Sequence, residues 1–199
     1  MTPLIFKPQP GTQERALACS ADILIMGGSA GGGKTFFLLL EAARHINNPK
    51  FGAVIFRRER PDIVKEGGIW DESRKIYPEL GGDPNRTDLK YTFPSGASIG
   101  FSQIQYEKDL EGWKSSQIAL ICFDEMTTFS EEMFWFMLGR NRTDCGIKPY
   151  FRGTTNPDPD SFVAKMIAWY IDQETGYYIP ERSGVIRYFY KSGDDITWG

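Results

Sequence analysis

Long apolar runs, regularly spaced cysteines and a surplus of basic charge are all missing from this 199-residue chain. Each absence removes a class of function. No stretch approaches the roughly 20 apolar residues that a membrane-spanning helix needs, and the N-terminus lacks a signal-peptide apolar core. Cys19, Cys122 and Cys145 are an odd number without metal-type spacing. They argue against a zinc site or a disulfide framework and suit a reducing compartment, by default the cytoplasm. Lysine and arginine total 23 against 26 acidic residues, a net charge of −3. Such a balance provides no overall basic field for strong autonomous nucleic-acid binding, though a local patch, or weak sites converging in an assembly, is compatible with it. Repeats and low-complexity tracts are absent as well. The remainder, 41% hydrophobic and 25% charged, is ordinary globular usage, and the length suits one domain with a full core.

What is present centres on Gly28–Thr35, which reads Gly, four residues (Ser29, Ala30, Gly31, Gly32), then Gly33, Lys34 and Thr35. This is the P-loop pattern. Its glycines let the backbone wrap a phosphate chain, so that successive N–H groups and the following helix N-terminus form an anion nest. Lys34 is placed to reach the β- and γ-phosphates of ATP, and the Thr35 hydroxyl to ligate Mg²⁺. The flanks agree: residues 22–27 form a short apolar run expected of a buried parallel strand, and 36–45 lack Gly and Pro, as a helix would.

A second constellation lies about 90 residues further on, where Ile118–Phe123 is apolar throughout and ends in Asp124 and Glu125. A buried strand delivering a carboxylate at its end is the Walker B arrangement. Asp124 would hold Mg²⁺, directly or through water, and Glu125 would orient or deprotonate an attacking water.

Other residues read two ways. Gln13, on a short helix expected over 12–19, is either an adenine-edge reader or a solvent-facing amide. Arg57, Arg58 and Arg60, at the end of a second buried strand over 52–56, either face phosphate or nucleic acid or form a solvated cluster. Residues 89–93 and 98–104 alternate around Pro94-Ser95-Gly96 and predict a β-hairpin, and 109–116 reads as mostly loop. Ser130 can cap a helix whose Phe134, Trp135, Met137 and Leu138 suit core better than a stacking platform, with Arg140 and Arg142 ending it. A further strand is expected over 148–153. It runs into Thr154, Thr155, Asn156 and Pro157, where small polar groups either contact a γ-phosphate or make an Asn-Pro turn. Asp160 or Ser161 would cap a helix through Ile171, and 185–190 alternates like a strand.

Together, the P-loop, Asp124-Glu125 and Gly153–Pro157 about 30 residues later resemble the ATPase domain of the large terminase subunit of tailed bacteriophages. Arg57-Arg58 and the Gln13 region support the resemblance, which spans nearly the whole chain, 1–199. It implies an α/β P-loop fold, mostly parallel, with helices on both sides, an additional strand between the P-loop and Walker B strands, and a catalytic Glu. Thr154–Asn156 would be the coupling motif that senses γ-phosphate, and Gln13 would sit in the adenine-binding motif. The implied activity is Mg²⁺-dependent ATP hydrolysis that packages double-stranded DNA into a procapsid. Portal, small terminase subunit and further copies in a ring would be partners, in the host cytoplasm rather than the mature virion. The isolated chain could be monomeric.

Two departures matter. Many relatives carry an Arg within the P-loop's variable positions, which Ser29–Gly32 do not supply. A cation donated by a neighbouring subunit is therefore expected, with Lys114, ten residues before Asp124, and Arg142 as the candidates. No spaced acidic triad follows the coupling motif, Asp194-Asp195 being too little, so no nuclease activity is expected and the chain reads as a fragment or as a protein whose nuclease lies elsewhere. Rival readings are a helicase-like motor, which needs further motifs or a second motor domain, a slow nucleotide-dependent switch, and a nucleotide kinase, for which no acceptor lid is evident.

Overall fold

Apolar residues at strand period, buried on both sides, build the centre of the molecule. The computed structural model describes residues 6–28, 31–156, 158–193 and 195–199, so Ser29 and Ala30 of the phosphate loop, Pro157 and Asp194 lie outside the described residues. The strands are β1 (Ile23–Gly27), β2 (Gly52–Arg57), β3 (Asp83–Asn85), β4 (Lys90–Thr92), β5 (Ser98–Gln103), β6 (Leu120–Phe123), β7 (Tyr150–Thr155), β8 (Phe189–Ser192) and β9 (Asp195–Trp198). Seven of them form one sheet in the order β1-β7-β6-β2-β5-β4-β3. Its first five strands run parallel, and β4 and β3 complete the edge antiparallel.

Strand β6 shows why the sequence pattern works. Leu120 and Cys122 enter one core cluster with Ala53 and Ile55 of β2, while Ile121 and Phe123 enter another with Phe56 and Phe151. Successive side chains point to opposite faces, so a strand covered on both sides reads as an unbroken apolar run. Each such fully buried side chain contributes about 1.5–3 kcal/mol. The covering helices are α1 (Thr12–Ala18), α2 (Lys34–Ala43), α3 (Arg60–Val64), α4 (Ile69–Ser73), α5 (Glu131–Leu138) and α6 (Phe162–Met166). Helix α2 buries Phe37, Leu38, Leu39 and Ala42 in the first cluster, and α5 buries Met133, Phe134 and Met137 in the second. Ser130 and Ser161 cap α5 and α6, their hydroxyls accepting from Met133 N and Ala164 N. Among the described residues no helix is long and apolar enough to cross a membrane.

The topology positions the site. Strand β7 lies between β1 and β6 and is the additional strand of the expected fold. Because the three are parallel, the P-loop after β1, Asp124-Glu125 after β6 and Thr154-Thr155 at the end of β7 share one edge of the sheet.

Several expected elements differ in detail. The hairpin gains a third strand, β3, and its β5 also pairs with β2, which makes it part of the main sheet. Residues 107–113 form 3-10 turns rather than loop, because Leu110 is buried and the Asp109 carboxylate accepts from the Gln105 and Tyr106 N–H groups. Helix α5 ends at Leu138, short of Arg140 and Arg142. Helix α6 stops at Met166, followed by a 3-10 turn at Ala168–Tyr170. The expected strand at 185–190 is displaced to β8, which pairs with β9 in a separate two-stranded sheet.

Candidate active site

The phosphate loop is braced from below. Gly33 caps α2 in the left-handed conformation, φ 69°, which a side chain would resist. A Cβ there would also come within 2.0 Å of Gln13 Nε2. Gln13 is 2% exposed; its amide donates to Gly33 O at 2.9 Å and accepts from Gln9 N at 2.8 Å. The solvent-facing alternative for Gln13 therefore falls: one end of the amide serves the loop backbone at Gly33 and the other the chain entering α1 at Gln9. Lys34, the first residue of α2, donates from Nζ to Gly28 O at 2.8 Å and to Asn156 Oδ1 at 3.0 Å.

At the end of β6, Asp124 is 2% exposed and both its oxygens are engaged. Oδ1 accepts from the Thr154 hydroxyl at 2.6 Å. Oδ2 accepts from Arg57 Nε at 2.8 Å and Nη2 at 2.6 Å. Glu125 sits in the left-handed region, φ 59°, a conformation costing a non-glycine residue about 1–3 kcal/mol. Its N–H points to Thr154 Oγ1 at 3.3 Å, and its side chain stays 48% exposed. The cost leaves one carboxylate buried and clamped and the next one open.

Gly31–Thr35, Asp124, Glu125 and Asn156 line one open cleft of about 390 Å³, within the range of small-ligand sites. Phe36 and Leu39 of α2 and Glu72 of α4 complete it. Glu72 accepts from Lys75 Nζ at 2.6 Å, a bond that raises the Lys75 ammonium above its usual range. Beneath Asp124, burial pushes the Cys122 thiol well above its ordinary range, so it serves as packing rather than as a nucleophile.

Of the coupling residues, only Asn156 reaches the cleft. Thr154 is fully buried on Asp124, and the Thr155 hydroxyl donates to Asn156 O at 2.8 Å. Arg57 is buried on Asp124 rather than solvated or free to meet nucleic acid. Arg58 instead donates to Ile104 O and sits against Met133. Phe134 and Met137 are core, as expected, with Trp135 and Leu138 partly buried against it.

Lys114 and Arg142 lie together at the other end of β6. Arg140 Nη1 donates to Lys114 O, Arg142 Nε to Ser116 O at 3.4 Å, and Ile118 N to Arg140 O at 3.2 Å. At about 3.3 Å per strand residue, this edge is on the order of 20 Å from Asp124. Lys114 is exposed and pairs with Glu111.

The donors suit Mg²⁺. Thr35 and Asp124 would offer it hard oxygens, and among the described residues no group of three or more His, Cys, Asp or Glu could hold a metal. Mg²⁺ is commonly held by one or two protein oxygens, retained waters and substrate phosphates. With both oxygens engaged, Asp124 fits a water-mediated place in that shell.

Residues 25–195 match the family of the terminase large subunit, T4likevirus-type, N-terminal. The chain belongs to that family. No curated protein matches it. Among solved structures, the large terminase of a thermophilic bacteriophage is similar at 17% identity and TM-score 0.64, covering 80% of this chain and 42% of that one. The same phage terminase in complex with ATP-γ-S is 19% identical, with TM-score 0.54 and coverages of 74% and 38%. A mutant ATPase domain of the Thermus phage P74-26 large terminase is 11% identical, with TM-score 0.58 and coverages of 84% and 72%. At such identities the likeness is one of fold. This terminase-family chain spans less than half the length of the first two structures.

Reasoning from sequence missed Glu72, which follows no motif, and the partners of Arg57 and Thr154. For Arg57 a signal existed: a cation at the C-terminal end of a buried strand, the end where sites form.

Proposed function

We propose that this chain is a Mg²⁺-dependent ATPase domain and that, in the complete protein, hydrolysis drives packaging of double-stranded DNA into a procapsid. The observation that carries the reading is the convergence of the P-loop, Asp124-Glu125 and Asn156, from three parallel strands, on one cleft. Gly28 and Gly31–Gly33, with Ser29 and Ala30 in the same loop, wrap the phosphates, and Lys34 exchanges its Gly28 and Asn156 contacts for β- and γ-oxygens. Thr35 and Asp124 hold Mg²⁺, which when bound neutralises charge developing on the transferring group. Glu125 orients water in line with the γ-phosphorus and takes its proton as the new P–O bond forms and the bridge to ADP breaks. Asn156, beside Lys34, registers whether the γ-phosphate is present.

Without nucleotide Gln13 braces the loop through Gly33 O; the adenine-reading role expected of it exchanges that bond for the base edge. Lys114 or Arg142, remote from the chain's own cleft, completes the site of another copy in a ring. Portal and small terminase subunit complete the assembly, in the host cytoplasm. The test is phosphate release by the purified chain, alone and with DNA and procapsid. Release that depends on Mg²⁺ and is lost in Lys34→Ala supports the reading. A Lys34→Ala chain with unchanged turnover sinks it.

A further inference from the structure

Helix α1 is seven residues long and fully buries only Gln13 and Ala16, too little to hold so short a helix in place by itself. Its two ends are tied to the phosphate-loop helix instead. At its start Gln13 donates to Gly33 O, the residue that caps α2. At its end the last carbonyls have no partner within the helix, and two arginines supply one. Arg44, which ends α2, donates from Nη2 to Leu17 O. Arg152 of β7 donates from Nη2 to Cys19 O at 3.3 Å and from Nη1 to Ala21 O at 3.0 Å. Both arginines converge on one carboxylate, that of Glu41 in α2, which is fully buried. Arg44 Nε donates to Glu41 Oε1 at 3.0 Å and Nη2 to Oε2 at 2.9 Å. Arg152 Nε, buried and without a hydrogen bond among the described residues, lies 3.6 Å from Oε1. Its guanidinium sits 4.6 Å over the centre of the Tyr150 ring, a favourable place for a cation. Glu41 follows Lys34 by two helical turns, so the cluster lies about 10 Å down α2 from the phosphate loop.

We propose that the Arg44–Glu41–Arg152 cluster is a positioning device for nucleotide binding: Glu41 holds both guanidiniums against the carbonyls that end α1, and so fixes where that helix presents Gln13 to the phosphate loop and to the incoming base. The proposal deepens the ATPase reading above and rests on it. Carbonyls at a helix C-terminus carry partial negative charge and favour a cation. Two guanidiniums brought under one helix repel each other, and a carboxylate between them offsets that repulsion. A planar fork can serve the carboxylate and a carbonyl at once, which a lysine ammonium does less well. Three elements, α1, α2 and β7, thus meet around one buried anion. Glu41 acts on Gln13 through α1 and touches neither phosphate nor base.

The experiment measures turnover, equilibrium binding of fluorescent ATP and GTP analogues, and urea unfolding. The variants are Arg44→Met and Glu41→Gln, each alone and combined with Gln13→Ala, beside the wild-type chain and Lys34→Ala. Arg44 is partly exposed, and Arg44→Met keeps its stem and leaves the Glu41–Arg152 pair intact, so this variant should fold. Expected is a rise in KM for ATP of at least about threefold with kcat nearly unchanged, the pattern of lost binding rather than lost chemistry. The preference for ATP over GTP should fall with it. Glu41→Gln leaves two cations without their anion and should do the same more strongly where it folds; where it does not, Arg44→Met decides. Gln13 and Arg44 act at opposite ends of α1, and independent roles there would multiply. In the Gln13→Ala background Arg44→Met should instead change neither quantity further. A cluster that only stabilises the fold would lower the urea midpoint and leave the ATP-to-GTP ratio of the folded chain as it is, and that result overturns the proposal. Effects that multiply with Gln13→Ala overturn it too, as does a Gln13→Ala chain that binds both nucleotides like wild type. If Lys34→Ala itself retains full turnover, the ATPase reading fails first, and the two failures are distinguishable.

Discussion

Strand β6 carries charge at both of its ends, and the two ends are built differently. Past its C-terminus, Asp124 is buried, holds partners on both neighbouring strands and sets Glu125 against the cleft. Before its N-terminus, Lys114 has an exposed ion pair with Glu111, and Arg140 and Arg142 are tied through single side-chain bonds to carbonyls of the 114–116 turn. Burial makes an unmet polar group expensive, so a site completed within one chain is recognisable by its dense internal bonding. A site completed by another molecule cannot pre-pay that bonding and looks like ordinary solvated charge. The contrast supports reading the carboxylate end as a centre of chemistry, while the cationic end carries no such internal mark.

The sharpest way to break this contrast is Glu125→Gln. Its amide cannot accept the proton of water, so turnover should fall about 10²–10⁴-fold while nucleotide affinity is kept. Phosphate release and equilibrium binding measured on the same preparation decide it, and joint loss of both would recast Glu125 as a ligand or structural group. Next is Lys34→Ala, expected to lower turnover by about 10²–10³-fold through loss of charge stabilisation. Here affinity for the nucleotide should fall as well, which separates the two variants.

Thr154→Val probes the clamp itself. It leaves Asp124 Oδ1 without its donor in a fully buried setting, a cost of about 1–3 kcal/mol, to be read from urea unfolding. A stability equal to wild type would show that the Thr154 bond contributes nothing to holding the carboxylate. The smallest effect is expected at the other end of β6. Lys114→Ala and Arg142→Ala should change turnover of the isolated chain by less than about twofold, since neither lies near its own cleft. Under conditions of assembly the variant lacking the true finger should lose activity, and mixing it with Glu125→Gln chains should restore part of it. Full activity of both variants in the assembled state would leave the cationic end without a role in hydrolysis.

Much of this arrangement is legible in the residue order because its information is local. The P-loop spacing specifies a backbone path, and the apolar runs of β1, β2 and β6 reflect burial on both faces. Ser130 and Ser161 mark helix starts through bonds three residues away. The seven-strand order and the hairpin's incorporation into the sheet were less legible, since register between distant strands depends on the packing of whole layers.

By itself, then, the sequence determined the phosphate loop, the buried strand that presents two carboxylates, and the Thr-Thr-Asn element, each a short pattern whose conformation follows from its own residues. Only the tertiary structure decided their partners. Gln13 finds Gly33 across 20 positions, Thr154 finds Asp124 across 30, and Arg57 finds Asp124 across 67. A hydrogen bond between residues so far apart in the chain is set by which elements lie adjacent. Adjacency is fixed by the burial of both faces of the sheet as a unit, and no short stretch of the chain contains it.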